Sequence, residues 1–152
     1  MFIVRDYTVD DYDKVQSVWT DTDLGGDERG DNRSTIEESI KMGGRLLLLE
    51  DSSSNIITGT SWMTFDGRRI HLHHFGILTR YQGKGLSKIL LKSSFEHILN
   101  RGCQVKLEVH KSNIKALNLY KKYGFEYLGD YDVYIIRDMN LKRMLNINFN
   151  SE

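Results

Sequence analysis

The stretch HLHHFGILTRYQGKGLSKILL, residues 71–91, predicts a strand, a glycine turn and a helix in unbroken succession. Strand-forming residues lead into Gly83 and Gly85, and apolar residues at helical spacing follow them. Glycine permits a positive φ and lets a ligand approach the backbone closely. The first N–H groups of a helix lack partners within the helix and bind anions, and Arg80, Lys84 and Lys88 favour the same class of ligand. The stretch therefore predicts an anion-binding turn.

Two nucleotide-binding motifs can be tested against this turn by their spacing. The P-loop requires G-x-x-x-x-G-K-[ST], but Lys84 is followed by Gly85 and no glycine stands at position 78. The dinucleotide fingerprint requires a third glycine at position 88, which is Lys88, and an acidic residue near position 105. Both motifs are excluded.

The composition of the 152 residues predicts one domain with a substantial core. Basic and acidic side chains balance at 21 each, so the overall charge indicates neither a nucleic-acid nor a membrane partner. No apolar run approaches the roughly 20 residues that cross a bilayer, and the first residues do not resemble a secretory signal. A single cysteine, Cys103, excludes an internal disulfide framework and fits a cytoplasmic location.

Charge is distributed unevenly along the chain. Basic residues predominate between positions 80 and 122, where the only acids are Glu96 and Glu108. The aperiodic, glycine-containing segment TDTDLGGDERGDNR, residues 20–33, is predicted to be a loop and carries five acids: Asp21, Asp23, Asp27, Glu28 and Asp31. We expect Asp21, Asp23 and Asp27 to attract a cationic substrate, and three glycines in the loop suggest that it moves. A solvated connection is the alternative.

Periodicity and turn residues predict mixed strands and helices, hence an α/β or α+β sheet domain. The predicted strands are 2–5, 45–50, 56–65, 69–78, 104–109, 125–129 and 133–138. Helices are predicted after Thr8 to about Gln16, after a cap at Ser34 or Thr35, from the glycine turn to Asn100, and after Asn113. Asp66-Gly67 predicts a hairpin, and Gly102 and Gly124 are predicted to end helices.

Two blocks of sequence resemble the GNAT acetyltransferases. The family's acyl-CoA turn, [QR]-x-x-G-x-[GA], corresponds to Arg80–Gly85, and its second landmark, N-x-x-A-x-x-L-Y-x-x-x-G-F, corresponds to Asn113–Phe125. The preceding FDGRR resembles small bacterial members near the ribosomal-protein alanine acetyltransferases. The departures are Thr79, where proline is common, and Ser87, where glycine is frequent. Neither removes an N–H donor from the turn.

The resemblance covers roughly residues 2–139 and implies one domain, with residues 140–152 as a tail. It implies a mixed central sheet of about six to seven strands flanked by about four helices. Acetyl-CoA is the implied cosubstrate, with no metal, and its pantetheine arm would pair with the strand end. The cofactor-binding residues carried over are Ile77, Leu78, Thr79, Arg80, Gln82, Gly83, Lys84, Gly85, Leu86, Ser87, Lys88, Asn113, Tyr120 and Lys122.

The resemblance also implies catalytic residues. Tyr120 falls on the tyrosine that protonates the CoA sulfur, a role open to a phenol as negative charge develops there. The base is left open among Glu108, which matches a glutamate of the alanine-acetylating group, and His71 and His73, which resemble the H-x-H of arylalkylamine acetyltransferases. His71 and His73 share one face of a strand, and His74 is expected on the other. A zinc site would need a third ligand, for which His110 is the nearest histidine.

The predicted function is therefore transfer of an acetyl group from acetyl-CoA to a primary amine, by direct attack in a ternary complex. A small cationic amine is favoured as acceptor. The alternatives are a protein N-terminus and a non-catalytic acyl-CoA-binding sensor, since the fold alone does not choose among them. A homodimer is possible through the apolar segment 141–149.

Overall fold

The computed structural model describes residues 1–137, in two compact units. The first unit is Met1–Ile114, and the second begins at Lys115. The predicted tail 140–152, position 138 of the last predicted strand and the segment 141–149 lie outside the described residues. The single domain expected over residues 1–139 stays a prediction.

Five strands and four α-helices occur in the described residues. The strands are β1 (Phe2–Asp6), β2 (Arg45–Asp51), β3 (Ile56–Phe65), β4 (Ile70–Ile77) and β5 (Val105–Leu107), and the helices are α1 (Tyr12–Thr22), α2 (Arg33–Lys41), α3 (Leu86–Arg101) and α4 (Ile114–Lys122). Single 3₁₀ turns lie at Val9–Asp11, Asp27–Arg29 and Thr79–Tyr81. The strands form one sheet in the order β1-β2-β3-β4-β5, antiparallel except for the parallel pair β4–β5.

The sheet of the first unit is covered by apolar side chains on both faces. Leu46 and Leu48 of β2 belong to a buried cluster with Val15, Val18 and Trp19 of α1. Successive strand residues point to opposite faces, so Leu47 and Leu49 point away from that cluster, and both are also buried. This two-sided burial is why β2 is a continuous apolar run.

Several predicted elements are confirmed and others need correction. Gly102 ends α3 with φ 70°, and Gly67 of the β3–β4 hairpin has φ 88°. Helix α1 extends past Gln16 to Thr22, and α2 is capped by Asn32, whose Oδ1 accepts the Thr35 N–H at 3.0 Å, rather than by Ser34 or Thr35.

The predicted strand count of six to seven was too high for the described residues, which contain five strands. No strand occurs in residues 125–137, where two were expected. Strand-forming residues do not make a strand by themselves, because a strand also needs a neighbouring strand with which its backbone can form hydrogen bonds. Tyr127, Tyr134 and Ile136 are instead exposed.

Strand β4 contains a bulge near its middle. The pairs Thr60–Gly76 and Trp62–His73 enclose one residue of β3 and two residues of β4, the first of which is His74. His74 has φ 38°, a conformation that residues other than glycine rarely adopt. The bulge bends β4 and changes which side chains lie on each face.

Candidate active site

The glycine turn directly follows β4. The Leu78 N–H donates to Thr58 O at 2.8 Å, and Gly83 and Gly85 have φ 77° and 76°. A Cβ added to either glycine would meet no protein atom within 4 Å, so the space beside the backbone is open. Gly85 is the N-cap of α3, and its carbonyl accepts the Lys88 N–H at 3.1 Å, so the N–H groups that begin the helix lie next to the turn. The predicted strand, glycine turn and helix are present, and the binding of an anion by the turn stays a prediction.

Side chains of the turn fix its shape and its charge. Gln82 Nε2 donates to Ile77 O at 2.9 Å and so ties the turn back to the strand end. Arg80 Cζ lies 5.3 Å from the ring centroid of Tyr81, and Lys84 Nζ lies 4.9 Å from it. Two cations therefore flank one aromatic ring beside the open backbone, which favours a negatively charged ligand.

The pairing between β4 and β5 covers only the first part of β4. The last pair between the two strands is Leu72–Leu107, whereas β4 continues to Ile77. Among residues 1–137, no strand other than β3 pairs with β4 beyond Leu72. Ile77 O, at the end of β4, accepts the Gln82 side-chain amide at 2.9 Å, and a sheet edge is a place where an extended ligand can add as a strand.

His71 and His73 lie side by side on one face of β4, as predicted. Their rings stack with centroids 3.9 Å apart, and His73 Nε2 lies 2.8 Å from Thr64 Oγ1. Burial, then the neighbouring His71, lowers the pKa of His73 to about 4. Burial also lowers the pKa of His71, while the carboxylate of Glu108 acts in the opposite direction. Both rings are therefore neutral at pH 7.

His74 was predicted on the opposite face of the strand, and this was wrong. Its ring lies 5.2 Å from Trp62, which also contacts His73, and 4.6 Å from Trp19. The bulge adds a residue to β4 and returns His74 to the side of its neighbour. His74 Nε2 lies 2.8 Å from Asp31 Oδ2 in the acidic loop.

The three predicted acceptor-binding acids each have a partner within the first unit. Asp21 Oδ2 accepts the backbone N–H of Thr79 at 2.7 Å, and this hydrogen bond lowers the pKa of Asp21. Asp23, which is largely exposed, pairs with Arg29 at 3.1 Å.

The third acid, Asp27, accepts the Tyr12 hydroxyl at 3.1 Å. Asp21 therefore contacts the backbone just before the glycine turn, whereas Asp23 pairs with Arg29 and Asp27 with Tyr12. Their proposed contact with an acceptor stays a prediction.

Tyr120 belongs to the second unit, as does Lys122. It is buried on α4, and burial raises the pKa of its hydroxyl to about 12. Helix α4 ends at a glycine, as predicted: Gly124 has φ 90°, and the Phe125 N–H donates to Tyr120 O at 3.1 Å. A buried phenol with a raised pKa stays protonated at neutral pH and can donate a hydrogen bond.

Comparison with known proteins identifies the family. The model described as the acetyltransferase (GNAT) family matches residues 12–125. The chain belongs to the GNAT acetyltransferase family. This confirms the resemblance that the glycine turn and the Asn113–Phe125 block predicted.

One curated GNAT relative is spermine/spermidine N(1)-acetyltransferase of Bacillus subtilis strain 168, which is 39% identical over 66 residues, or 42% of this chain and 43% of that protein. The chain thus spans less than half the length of this relative. A solved GNAT acetyltransferase of Staphylococcus aureus Mu50 has a TM-score of 0.73 at 17% identity, over 87% of this chain and 89% of that one. The ribosomal-protein-S18-alanine N-acetyltransferase of Escherichia coli has a TM-score of 0.70 at 18% identity, over 83% and 78%. At this level of identity, the similarity to these two structures shows the fold alone.

Two features of residues 1–137 concern membrane insertion and metal binding. No described helix has both the length and the apolar composition needed to cross a membrane. In the same part of the chain, no three His, Cys, Asp or Glu side chains are grouped so that they could hold a metal ion. His110 Nδ1 lies 2.7 Å from Ser112 Oγ.

Sequence reasoning on this GNAT chain missed the Asp31–His74 pair. The two residues are 43 positions apart, and the positive φ of His74 has no marker in the sequence because glycine or asparagine does not stand there. The close spacing of glycines in the acidic loop is a related feature of the sequence, because it allows the loop backbone to approach another element closely. Gly25 lies so near His74 that a Cβ would be 2.4 Å from its Nε2.

Proposed function

We propose that the protein transfers the acetyl group of acetyl-CoA to a primary amine. The observation that carries this proposal is the end of β4, which continues past its last pair with β5 and leads directly into the turn of Gly83 and Gly85 at the start of α3. A sheet edge suits an extended, amide-containing chain, and a helix N-terminus with open glycines suits phosphate. Acetyl-CoA contains these two parts in the same order, because its extended pantetheine arm carries amides and is joined to a pyrophosphate.

The residues of the turn fit that cosubstrate. The open space at Gly83 and Gly85 allows phosphate oxygens to approach the backbone, and of the turn's N–H groups that of Gln82 already donates to Thr79 O at 3.2 Å. Arg80, Lys84 and Lys88 would add positive charge. Because the Thr79 N–H is held by Asp21, pairing with the pantetheine arm falls to Ile77, whose carbonyl now accepts the Gln82 amide. We expect the Gln82 side chain to move when the cosubstrate binds.

Acetyl-CoA supplies a thioester whose carbonyl carbon is attacked by the neutral amine, with a new C–N bond formed and the C–S bond broken. The proposed part of Tyr120 is to donate to the sulfur as charge builds there. A hydroxyl with a pKa of about 12 is a weak acid beside a thiol, whose pKa is about 8.5, so complete transfer would be unfavourable. Tyr120 therefore stabilises the departing thiolate by a hydrogen bond and keeps its proton, and the proton that the amine loses passes to the proposed base.

Of the three candidate bases, we favour His71 acting with Glu108. A pKa of about 4 makes His73 a poor proton acceptor, and its Nε2 is engaged with Thr64. The carboxylate of Glu108 favours the protonated form of His71 and opposes the effect of burial. His73 then serves to hold the His71 ring by stacking against it.

A small cationic amine is the favoured acceptor. The Bacillus subtilis relative is named for spermine and spermidine, which are cationic polyamines, and the acidic loop of this chain contacts β4 through Asp31. Exposed acids near a site raise the local concentration of cations and speed their encounter. This argument supports a polyamine-like acceptor over a protein N-terminus.

A thiol-release assay with purified protein and acetyl-CoA tests the proposal. The panel contains spermidine, spermine, a monoamine of similar length and a peptide with an N-terminal alanine. We expect release of CoA thiol to be fastest with the polyamines and the acetylated product to appear in equal amount. Turnover of the peptide alone would favour the N-terminal alternative, and CoA binding without turnover of any amine would favour a sensor.

A further inference from the structure

The backbone of His74 is held in an unfavourable conformation by its surroundings. A histidine with φ 38° lies in the left-handed region, which usually requires glycine or asparagine. Such a conformation persists where neighbouring groups determine it, and these positions are frequent at functional sites. Here it lies at the bulge of β4, three residues before the strand ends at Ile77.

The side chain of His74 is bound by the acidic loop and by two indoles. Its Nε2 lies 2.8 Å from Asp31 Oδ2, and the same oxygen accepts the Gly26 N–H at 3.3 Å. The ring meets Trp19 edge-on at 4.6 Å and Trp62 at 5.2 Å. The rings of Trp19 and Trp62 stack on each other at 5.5 Å, so His74 packs against a rigid aromatic pair.

The backbone of His74 is fixed as well. Thr60 Oγ1 donates to His74 O at 2.9 Å and accepts the Trp19 indole N–H at 3.0 Å. This buried chain of hydrogen bonds connects α1 through β3 to the bulge of β4. The core therefore fixes the carbonyl of His74 through Thr60, and the loop fixes its ring through Asp31.

The acidic loop lies directly on the bulged part of β4. A Cβ on Gly25 would be 2.4 Å from His74 Nε2, and a Cβ on Gly76 would be 2.5 Å from Leu24 Cδ1. Leu24 also packs against the buried cluster of the first unit. The loop thus approaches the strand at two points, and at Gly25, whose φ is 152°, a side chain would also be strained.

We propose that Asp31 and His74 are a positioning pair, which fixes the acidic loop at the bulge of β4 and thereby sets how the amine acceptor is held. The proposal rests on the proposed acetyl transfer for its kinetic consequence, but its structural basis is independent of that function. Neither residue is assigned a proton-transfer step. The pair acts by keeping residues 24–26 of the loop against the bulge of β4, close to the strand end at Ile77.

Two replacements at His74 and one at Asp31 separate the hydrogen bond between the two side chains from the backbone strain at His74. His74→Gly removes the link and also removes the strain, because glycine tolerates a positive φ. His74→Gln keeps the strain and retains an amide that can donate to Asp31. Asp31→Ala removes the acceptor, and Asp13→Asn is the matched control, since it removes a negative charge from an exposed site on α1.

The kinetic test measures the KM for spermidine and for acetyl-CoA. We expect His74→Gly and Asp31→Ala to raise the spermidine KM at least tenfold and to change the acetyl-CoA KM less than twofold. His74→Gln should recover part of the loss, and Asp13→Asn should match the wild type. An unchanged spermidine KM would overturn the proposal, as would an equal loss in both KM values, which indicates a general structural defect.

Hydrogen exchange of the loop amides provides a test that needs no activity. The Gly26 N–H and its neighbours in residues 24–31 should exchange at least tenfold faster in His74→Gly and Asp31→Ala, while the amides of β2 keep the wild-type rate. If the wild type acetylates no amine, the proposed function fails. The exchange rates of the loop amides then decide by themselves whether Asp31 and His74 fix the loop. Unchanged exchange in the loop would overturn the pair in either case.

Discussion

Alanine at Gly85 separates the contribution of the glycine turn to stability from its contribution to cofactor affinity. Gly85 and Gly102 stand immediately before and after α3, with φ 76° and 70°, and a Cβ at either would meet no atom within 4 Å. Gly102→Ala is therefore a matched control at the opposite end of one helix. Each alanine costs about 1–2 kcal/mol, because an L-residue is strained at these angles. The expected fall in Tm is roughly 2–8 °C for both variants.

Only Gly85→Ala should weaken binding of CoA. A hydrogen bond to a charged group contributes about 1.5–3 kcal/mol, and a Cβ beside the turn displaces phosphate from at least one N–H donor. The dissociation constant should therefore rise roughly 10- to 100-fold. The larger side chain of Gly85→Val should abolish binding.

Calorimetry with CoA and thermal unfolding of the same three proteins provide the measurements. The Kd of Gly102→Ala should equal that of the wild type while its Tm falls with that of Gly85→Ala. The phosphate assignment would be refuted if Gly85→Ala bound CoA as tightly as the wild type. It would also be refuted if both variants lost affinity equally, because backbone strain would then explain the effect.

Three further predictions concern the reaction, the acceptor and pH. Tyr120→Phe should lower kcat at least tenfold and leave the Kd for CoA within twofold, and equal loss of both would assign Tyr120 a packing role. Replacing Asp23 and Asp27 together by asparagine should raise the polyamine KM and flatten its salt dependence, with Asp21 left intact because it holds the Thr79 N–H. The pKa of His73 is lowered to about 4 on folding, so the folded state binds fewer protons than the unfolded state between pH 6.5 and 4. Stability should be full above pH 6.5 and fall as the pH drops through this range, and His73→Gln should show a shallower loss in urea unfolding.

Local chemistry explains why so much of the fold was predictable. Gly83 and Gly85 between a strand-forming and a helix-forming segment specify a turn whatever surrounds it, since their positive φ is a backbone preference of glycine itself. The end of α3 at Gly102 and the hairpin at Gly67 follow for the same reason. The family followed from these local motifs because their order and spacing are themselves properties of the chain.

Partners distant in sequence account for what was missed. Residues 125–137 contain strand-forming residues, but a strand also needs a neighbour, which no local pattern supplies. Asp21 was predicted to serve an acceptor from its charge alone, and only the folded chain brings it to the Thr79 N–H, 58 positions away.

Neighbouring residues and the two-residue period of a strand suffice to specify the glycine turn, the helix that follows it and the shared face of His71 and His73. The tertiary structure alone decided the position of His74. One extra residue in β4 shifts the alternation of the strand, and the cost of a positive φ is offset by contacts with Asp31 and Trp19. Those contacts come from other elements, so the conformation of His74 is a property of the packed sheet and loop and not of its own segment.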